Sequence, residues 1–368
     1  MTDPHPELDT PALLVDLDVM ERNVREMAEV ASAAGVKLRP HTKTHKCPEI
    51  ARMQVEAGAT GITVAKLGEA EVMADAGFDD ILVAYPIWGR AKLDRLGALA
   101  ERAAVRVSLD SVEVAEAVGS VGRALGRPAP VLVEVDTGHH RLGRPPGQPT
   151  VELAKQVAAV EGVELLGLLT HGGHAYRSGD DGDLRVAAER EGLDLVETAE
   201  RCEGAGVAIR EISVGSTPTA RIVANVAGVT EVRPGTYVFN DVQQMRLGVA
   251  TEASTAARVL VTVIARPDAE RFVVDAGSKA FSSDGADEAP RFPGKGVVAG
   301  RPDLRLDFFT EEHGVGHLEG DGDLRIGDRL EVVPLHVCSC VNLFDVAFGV
   351  RDGAVERELT IAARGKMR

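Results

Sequence analysis

The stretch VKLRPHTKTHK (Val36–Lys46) decides how the chain folds. Its apolar start, Val36–Arg39, reads as a short buried strand, and it runs into a turn crowded with histidine and lysine. Cys47–Ala57 follows with apolar residues three and four apart, the spacing of a helix. The unit then recurs. Further apolar runs lie at Gly61–Ala65, Ile81–Tyr85, Val105–Leu109, Val131–Asp136, Leu165–Thr170, Glu211–Val214 and Glu231–Arg233. Segments such as Gly68–Ala76, Ala91–Arg102 and Arg185–Ala205 separate them with helical periodicity. Strands alternating with helices predict parallel strands joined by right-handed crossovers, and eight of them predict a closed barrel. An open doubly wound sheet is the alternative, but no G-x-G-x-x-G follows the first strand.

Beyond Gly248 the helical signal fades. Arg258–Ala265, Arg271–Asp275, Arg329–Pro334 and Glu356–Ala362 are rich in Val, Ile, Thr and Leu, with turn residues such as Arg266-Pro267-Asp268 between them. These predict antiparallel strands, and Leu13–Asp16 reads as a strand that joins them. The expected fold is α/β: a (β/α)8 TIM barrel with a second, mostly antiparallel β-domain. The barrel is expected over 15–247 and the β-domain over 248–368 plus 1–14.

The chain has 368 residues with 41 Lys+Arg against 57 Asp+Glu, a net charge of −16. That balance disfavours nucleic acid as a partner, since such surfaces need clustered cations. No apolar run nears the roughly 18 residues that cross a bilayer, so no membrane partner is expected. Residues 1–9 are polar and acidic, unlike a signal peptide. Four cysteines are too few for a disulfide scaffold. These features lead us to expect a cytoplasmic protein.

Barrel chemistry sits at the C-terminal ends of the strands. The first end carries Lys43 among Arg39, His41, His45 and Lys46, cations that can lower its pKa and make it a nucleophile. Lys66, past the next strand, is a rival. The fifth and sixth ends, DTGHHRLG (Asp136–Gly143) and THGGHAY (Thr170–Tyr176), are rich in His and Gly. The turns after strands seven and eight are the usual phosphate seat of this fold. There Gly215, Ser216 and Thr217 offer amides and hydroxyls, and Gly235 allows close backbone approach. Late in the chain, PLHVCSCVN (Pro334–Asn342) follows a strand-like run, which predicts His336, Cys338 and Cys340 alternating onto one face. Imidazole with thiolate favours zinc. Burial of these cysteines as small hydrophobes is the alternative.

Together these segments resemble the D-serine dehydratase/D-threonine aldolase family of fold-type III pyridoxal-phosphate enzymes, whose architecture alanine racemases share. The matching stretches are RPHTKTHK (Arg39–Lys46), DTGHHRLG, GSTPT (Gly215–Thr219) and EVRPGTY (Glu231–Tyr237). DAGSKAFSSD (Asp275–Asp284), EHG (Glu312–Gly314) and HVCSCVNLFD (His336–Asp345) continue the match in family order. The resemblance implies that Lys43 carries pyridoxal 5'-phosphate and that Gly215, Ser216, Thr217, Gly235 and Thr236 form its phosphate turns. It places Arg141 near the cofactor's phenolic oxygen, and Arg233 looks like the ring-nitrogen arginine of the racemases. It implies that His336 and Cys338 bind the metal; the aldolases carry Asp where this chain has Cys338. Whether Cys340 adds a third ligand stays open.

The implied reaction is dehydration and deamination of a D-3-hydroxy amino acid, D-serine-like, to a 2-oxo acid and ammonia, with Zn2+ or alternatively Mn2+. Metal-dependent D-threonine aldolase chemistry, giving glycine and an aldehyde, is the alternative. An amino-acid racemase or a non-catalytic pyridoxal-phosphate carrier comes next, though neither calls for the metal pair. The expected partners are a small D-amino acid substrate and, as in related enzymes, a second copy of the chain forming a homodimer.

Overall fold

The computed structural model describes residues 4–178, 181–284, 292–320 and 322–368. The chain forms two compact units, one made of Arg25–Lys43, Ile50–Gly235 and Gly365–Arg368, the other of Met1–Val24, Thr44–Glu49 and Thr236–Arg364. Strand β1 (Ala12–Asp16) belongs to the second unit. The first unit holds β2 (Lys37–Leu38), β3 (Ile62–Val64), β4 (Asp80–Val83), β5 (Ala104–Leu109), β6 (Ala129–Glu134), β7 (Val163–Leu169), β8 (Glu211–Val214) and β9 (Glu231–Val232). Each falls on one of the eight expected runs.

These eight strands are parallel, in the order β2-β9-β8-β7-β6-β5-β4-β3. The Thr63 N–H donates to Pro40 O at 2.8 Å and His41 bridges Thr63, which links the two ends of the sheet. Leu82 on β4, Leu132 on β6 and Leu169 on β7 pack as an apolar cluster. Helices alternate with the strands. The one at Val112–Ala124 starts at Ser111, whose Oγ accepts the Val114 N–H at 3.4 Å and so satisfies an amide that the helix leaves unpaired.

Among the buried groups of this unit is an ion network. Arg39, 1% exposed, donates Nε to Glu231 at 2.8 Å and Nη1 to Asp80 at 2.8 Å. Arg106 lies 3.3 Å from Asp80 and 2.8 Å from Glu211. Glu231, Asp80 and Glu211 open their strands, so this layer belongs to the N-terminal end of the barrel, where stability rather than chemistry is set. Arg39 was expected among the cations around Lys43; it is instead locked in this network, because two carboxylates offset its desolvation. Replacing Glu231 by Ala leaves the guanidinium partly uncompensated and is expected to cost about 3–5 kcal/mol. Urea unfolding followed by circular dichroism would read this as a lowered midpoint.

The second unit adds β10 (Ala257–Ala265), β11 (Arg271–Val274), β12 (Gly296–Val298), β13 (Leu304–Phe309), β14 (Gly314–Leu318), β15 (Arg329–Pro334), β16 (Val346–Arg351) and β17 (Ala354–Thr360). The sheet runs β11-β14-β13-β12-β15-β10-β1-β16-β17, and β10 also pairs with β11, so six strands close into a barrel. Every pairing is antiparallel except β1 with β16. The expected N-terminal strand does join this sheet, pairing Ala12–Val15 with Ala257–Leu260. Four strands, β12, β13, β14 and β16, were not expected from sequence. Among the described residues no helix is long and apolar enough to cross a membrane.

Candidate active site

A cavity of about 390 Å³ opens at the C-terminal ends of the parallel strands, within the roughly 300–1,000 Å³ usual for small-molecule sites. Lys43 follows β2, Lys66 follows β3, Tyr85 follows β4 and Glu134 ends β6. Arg141 sits in the loop after β6, His171 after β7, Gly215 after β8 and Arg233 after β9. Seven of the eight strands therefore deliver a lining residue.

The lining is strongly cationic. Lys43, Lys66, Arg141 and Arg233 stand against one carboxylate, Glu134. Arg141 Nη2 is 3.6 Å from Glu134 Oε1. Burial raises Glu134 above the usual carboxylate range, against the pull of Arg141 and Arg233. Burial, then Lys43, pushes His41 and His171 well below the ordinary imidazole range, so both stand neutral. A chain of net charge −16 thus keeps a positive cavity, suited to a ligand carrying phosphate and carboxylate.

The neighbours of Lys43 differ from expectation. Lys43 lies in the short 3-10 turn Thr42–Thr44. Of the flanking basic residues, only His41 lines the cavity. His45 Nδ1 is 3.1 Å from Cys47 N and is buried, and Lys46 Nζ donates to Asn342 Oδ1 at 2.7 Å. The positive surroundings come from Lys66, Arg141 and Arg233 on other strands. Lys66 Nζ sits 3.4 Å over the Tyr85 ring, and its hydrogen bond to the phenol lowers the Tyr85 pKa.

The phosphate-type turn also has more internal structure than its residues alone suggest. Gly215 has φ +92°, a backbone conformation glycine adopts freely. Its N–H donates to Glu191 Oε1 at 2.9 Å, and the Ser216 N–H donates to Thr219 Oγ1 at 2.9 Å. Ser216 and Thr217 are buried just beyond Gly215. Arg233 donates to Ser213 Oγ and Thr170 O. Gly235 ends its stretch of the barrel unit, while Thr236 opens a 3-10 turn in the β unit.

In the β unit His336 and Cys338 do not alternate along a strand. β15 ends at Pro334, and Val337–Val341 is a helical turn with His336 at its N-cap. The cause is Asp241, whose Oδ2 accepts the Val337 N–H at 3.0 Å and ends the extended run. Cys340 is fully buried, its thiol donates to Ala280 O at 3.2 Å, and burial pushes its pKa up. His336 Nδ1 is 2.6 Å from Asp284 Oδ2. Burial works against the imidazolium, but Cys338, Asp241 and Asp284 outweigh it and hold His336 at about 10. Thr44 Oγ1 and Thr236 Oγ1 lie 3.1 and 3.7 Å from Cys338 Sγ.

These residues fit a metal. A carboxylate behind the imidazole is the usual support of a metal-bound histidine, and a metal would take the place of the imidazolium's Nε2 proton. Among the described residues no group of three or more His, Cys, Asp or Glu is placed to hold an ion. The barrel cavity equally fits pyridoxal phosphate: it has a lysine, guanidinium groups for anions, and hydroxyls beside a glycine turn. Sequence reasoning missed Tyr85, Glu134 and Glu191. Position at a strand end could have found the first two.

A parallel barrel with a lysine at its cationic mouth, joined to an antiparallel barrel unit, defines the fold-type III class of pyridoxal-phosphate enzymes. Comparison with known proteins agrees. Residues 15–242 match the family described as "Alanine racemase, N-terminal domain", and 256–350 match "Putative serine dehydratase domain". The chain belongs to the D-serine dehydratase/D-threonine aldolase family, whose barrel is that of the alanine racemases. It is 38% identical to the D-threo-3-hydroxyaspartate dehydratase of Delftia sp., over 90% of this chain and 91% of that one. The crystal structure of D-threonine aldolase from Filomicrobium marinum superposes with a TM-score of 0.92 at 33% identity, covering 100% of this chain and 98% of that one. A cysteine-to-alanine mutant of D-threo-3-hydroxyaspartate dehydratase in the metal-free form gives 0.89 at 35% identity, covering 98% and 99%. The relatives are lyases, and this chain is an enzyme of that class.

Proposed function

We propose that the protein dehydrates a D-3-hydroxy amino acid to a 2-oxo acid and ammonia, D-serine giving pyruvate, with pyridoxal phosphate on Lys43 and zinc on His336 and Cys338. The observation that carries the reading is the imidazole–thiol pair supported by Asp284. A soft sulfur donor favours zinc over manganese, and the dehydratase of Delftia supports elimination by likeness. When bound, pyridoxal phosphate supplies an electron sink for the bond broken at Cα. Zinc would supply Lewis acidity toward the substrate's 3-hydroxyl.

The remaining work falls to the chain's own groups. Lys43 anchors the cofactor and then takes the Cα proton as general base. Arg141 and Lys66 hold anionic groups in the cavity, and Arg233, fixed by Ser213 and Thr170, is oriented before any ligand arrives. His41 and His171, held neutral by burial, add no further positive charge to the Lys66, Arg141 and Arg233 side of the cavity. Ser216 and Thr217, beside Gly215, seat the phosphate.

The likeness to a D-threonine aldolase structure favours a second reading, in which the Cα–Cβ bond breaks instead. One assay separates the two. The metal-replete holoenzyme is given D-serine, D-threonine and D-threo-3-hydroxyaspartate, and 2-oxo acid with ammonia is measured against glycine with aldehyde. The expected product is 2-oxo acid from at least one substrate, with little glycine. Glycine as the main product would establish the aldolase.

A further inference from the structure

Glu191 lies on the helix Asp181–Gly204, is fully buried, and takes no part in the mechanism above. Its Oε1 accepts the Gly215 N–H at 2.9 Å. Its Oε2 makes no well-formed hydrogen bond among the described residues, but the Gly172 N–H and the Thr219 hydroxyl lie close enough to favour its ionised form. A Cβ built on Gly172 would come within 2.2 Å of that same oxygen, so the carboxyl fills the space beside this glycine. One side chain thus touches the turns after two neighbouring strands, β7 and β8.

We propose that Glu191 is a positioning residue that ties the Gly172 turn to the Gly215 turn and takes up a proton when an oxyanion binds at Gly215–Thr217. The inference rests on the reading of those residues as the phosphate seat. The tie holds the backbone of Gly215 in its positive-φ conformation and, through it, sets where the Ser216 and Thr217 hydroxyls stand. The proton follows from charge. A buried carboxylate beside a dianion is repelled by it, and the neutral acid is not.

Burial pushes Glu191 up to about 7, against the downward pull of the Gly215 N–H, the Thr219 hydroxyl, Arg233 and the Gly172 N–H. The group thus titrates in the range where the binding of an anion can push it toward the neutral acid. Arg233, the charged group that acts on it from the end of β9, stays positive throughout. His171, just before Gly172, is neutral in this range because burial holds it low. The sign follows: oxyanion affinity should be highest below pH 7 and fall as pH rises through it.

Sulfate is the probe, because it remains a dianion across the range and cannot react with Lys43. The full-length apoprotein is titrated with sulfate by calorimetry at pH 6 and pH 8.5. The wild type is expected to lose about tenfold in affinity, the equivalent of a one-unit displacement of the carboxyl. Glu191→Gln keeps an acceptor for the Gly215 N–H and should bind equally at both values. Glu191→Ala, which lacks both the charge and the tie, should bind about tenfold more weakly than Glu191→Gln at both values. A wild-type affinity that does not change with pH, or a Gln variant with the wild-type profile, overturns the proposal. The phosphate seat itself is tested by Ser216→Ala with Thr217→Ala. Unchanged sulfate affinity in that variant would sink the underlying reading instead.

Discussion

Replacing Lys43 by alanine is expected to abolish covalent attachment of pyridoxal phosphate and to lower turnover by at least about 10³-fold, the scale of losing a positioned general base. Lys66→Ala should retain attachment and lose far less. The distinction rests on geometry. Both lysines line the cavity, but Lys66 lies over the Tyr85 ring and shares a hydrogen bond with its phenol. Lys43 instead shares the cavity with Arg141 and Arg233, with two neutral histidines close by. Lys279, the lysine of the DAGSKAFSSD stretch, is exposed and paired with Glu312. Borohydride reduction of the holoenzyme followed by peptide mapping should find the pyridoxyl group on Lys43. A label on Lys66 or Lys279 would overturn the assignment.

The barrel was legible because its signal is local. Each strand is an apolar run and each helix keeps a 3.6-residue period, so even the two-residue β2 and β9 could be placed from what surrounds them. The site was legible in part, since position at a strand end is a strong rule. What could not be read depends on partners distant in sequence. Arg39 has the charge of a rim residue, but Glu231 and Asp80, far along the chain, draw it into the ion network. Asp241 turns His336–Cys340 from strand to helix, and nothing in the HVCSC string announces that. Glu191 sits among the charged residues of AEREGLDLVE, within the helical segment Arg185–Ala205, yet it is fully buried. β14 was missed for another reason. Gly314 and Gly316 weaken its propensity, although a Cβ at Gly316 would come within 2.4 Å of the Phe272 ring. Packing, not propensity, dictates those residues.

Chelation of the metal is expected to abolish turnover while leaving pyridoxal phosphate bound. On the proposed function the two would follow different residues: the cofactor Lys43 and the turns of the barrel unit, the metal His336 and Cys338 of the β unit. Zinc should restore activity better than magnesium, because magnesium binds thiolate poorly. Cys338→Ala removes one of the two proposed protein ligands. Its metal affinity should fall by more than the roughly 10–100-fold typical of losing a group that merely supports a ligand. Asp284→Ala removes such a support, since its carboxylate fixes the His336 ring, and should fall within that range. Cys338→Asp exchanges a soft ligand for a hard one and should shift preference toward manganese, raising glycine relative to 2-oxo acid if the metal's softness helps select which bond breaks. Equilibrium dialysis with elemental analysis measures the affinities, and the product assay reads the outcome. Full activity in protein stripped of zinc to well below stoichiometry would refute the metal-assisted reaction. His336 and Cys338 would then be left as a structural imidazole–thiol pair held by Asp284 and Thr44.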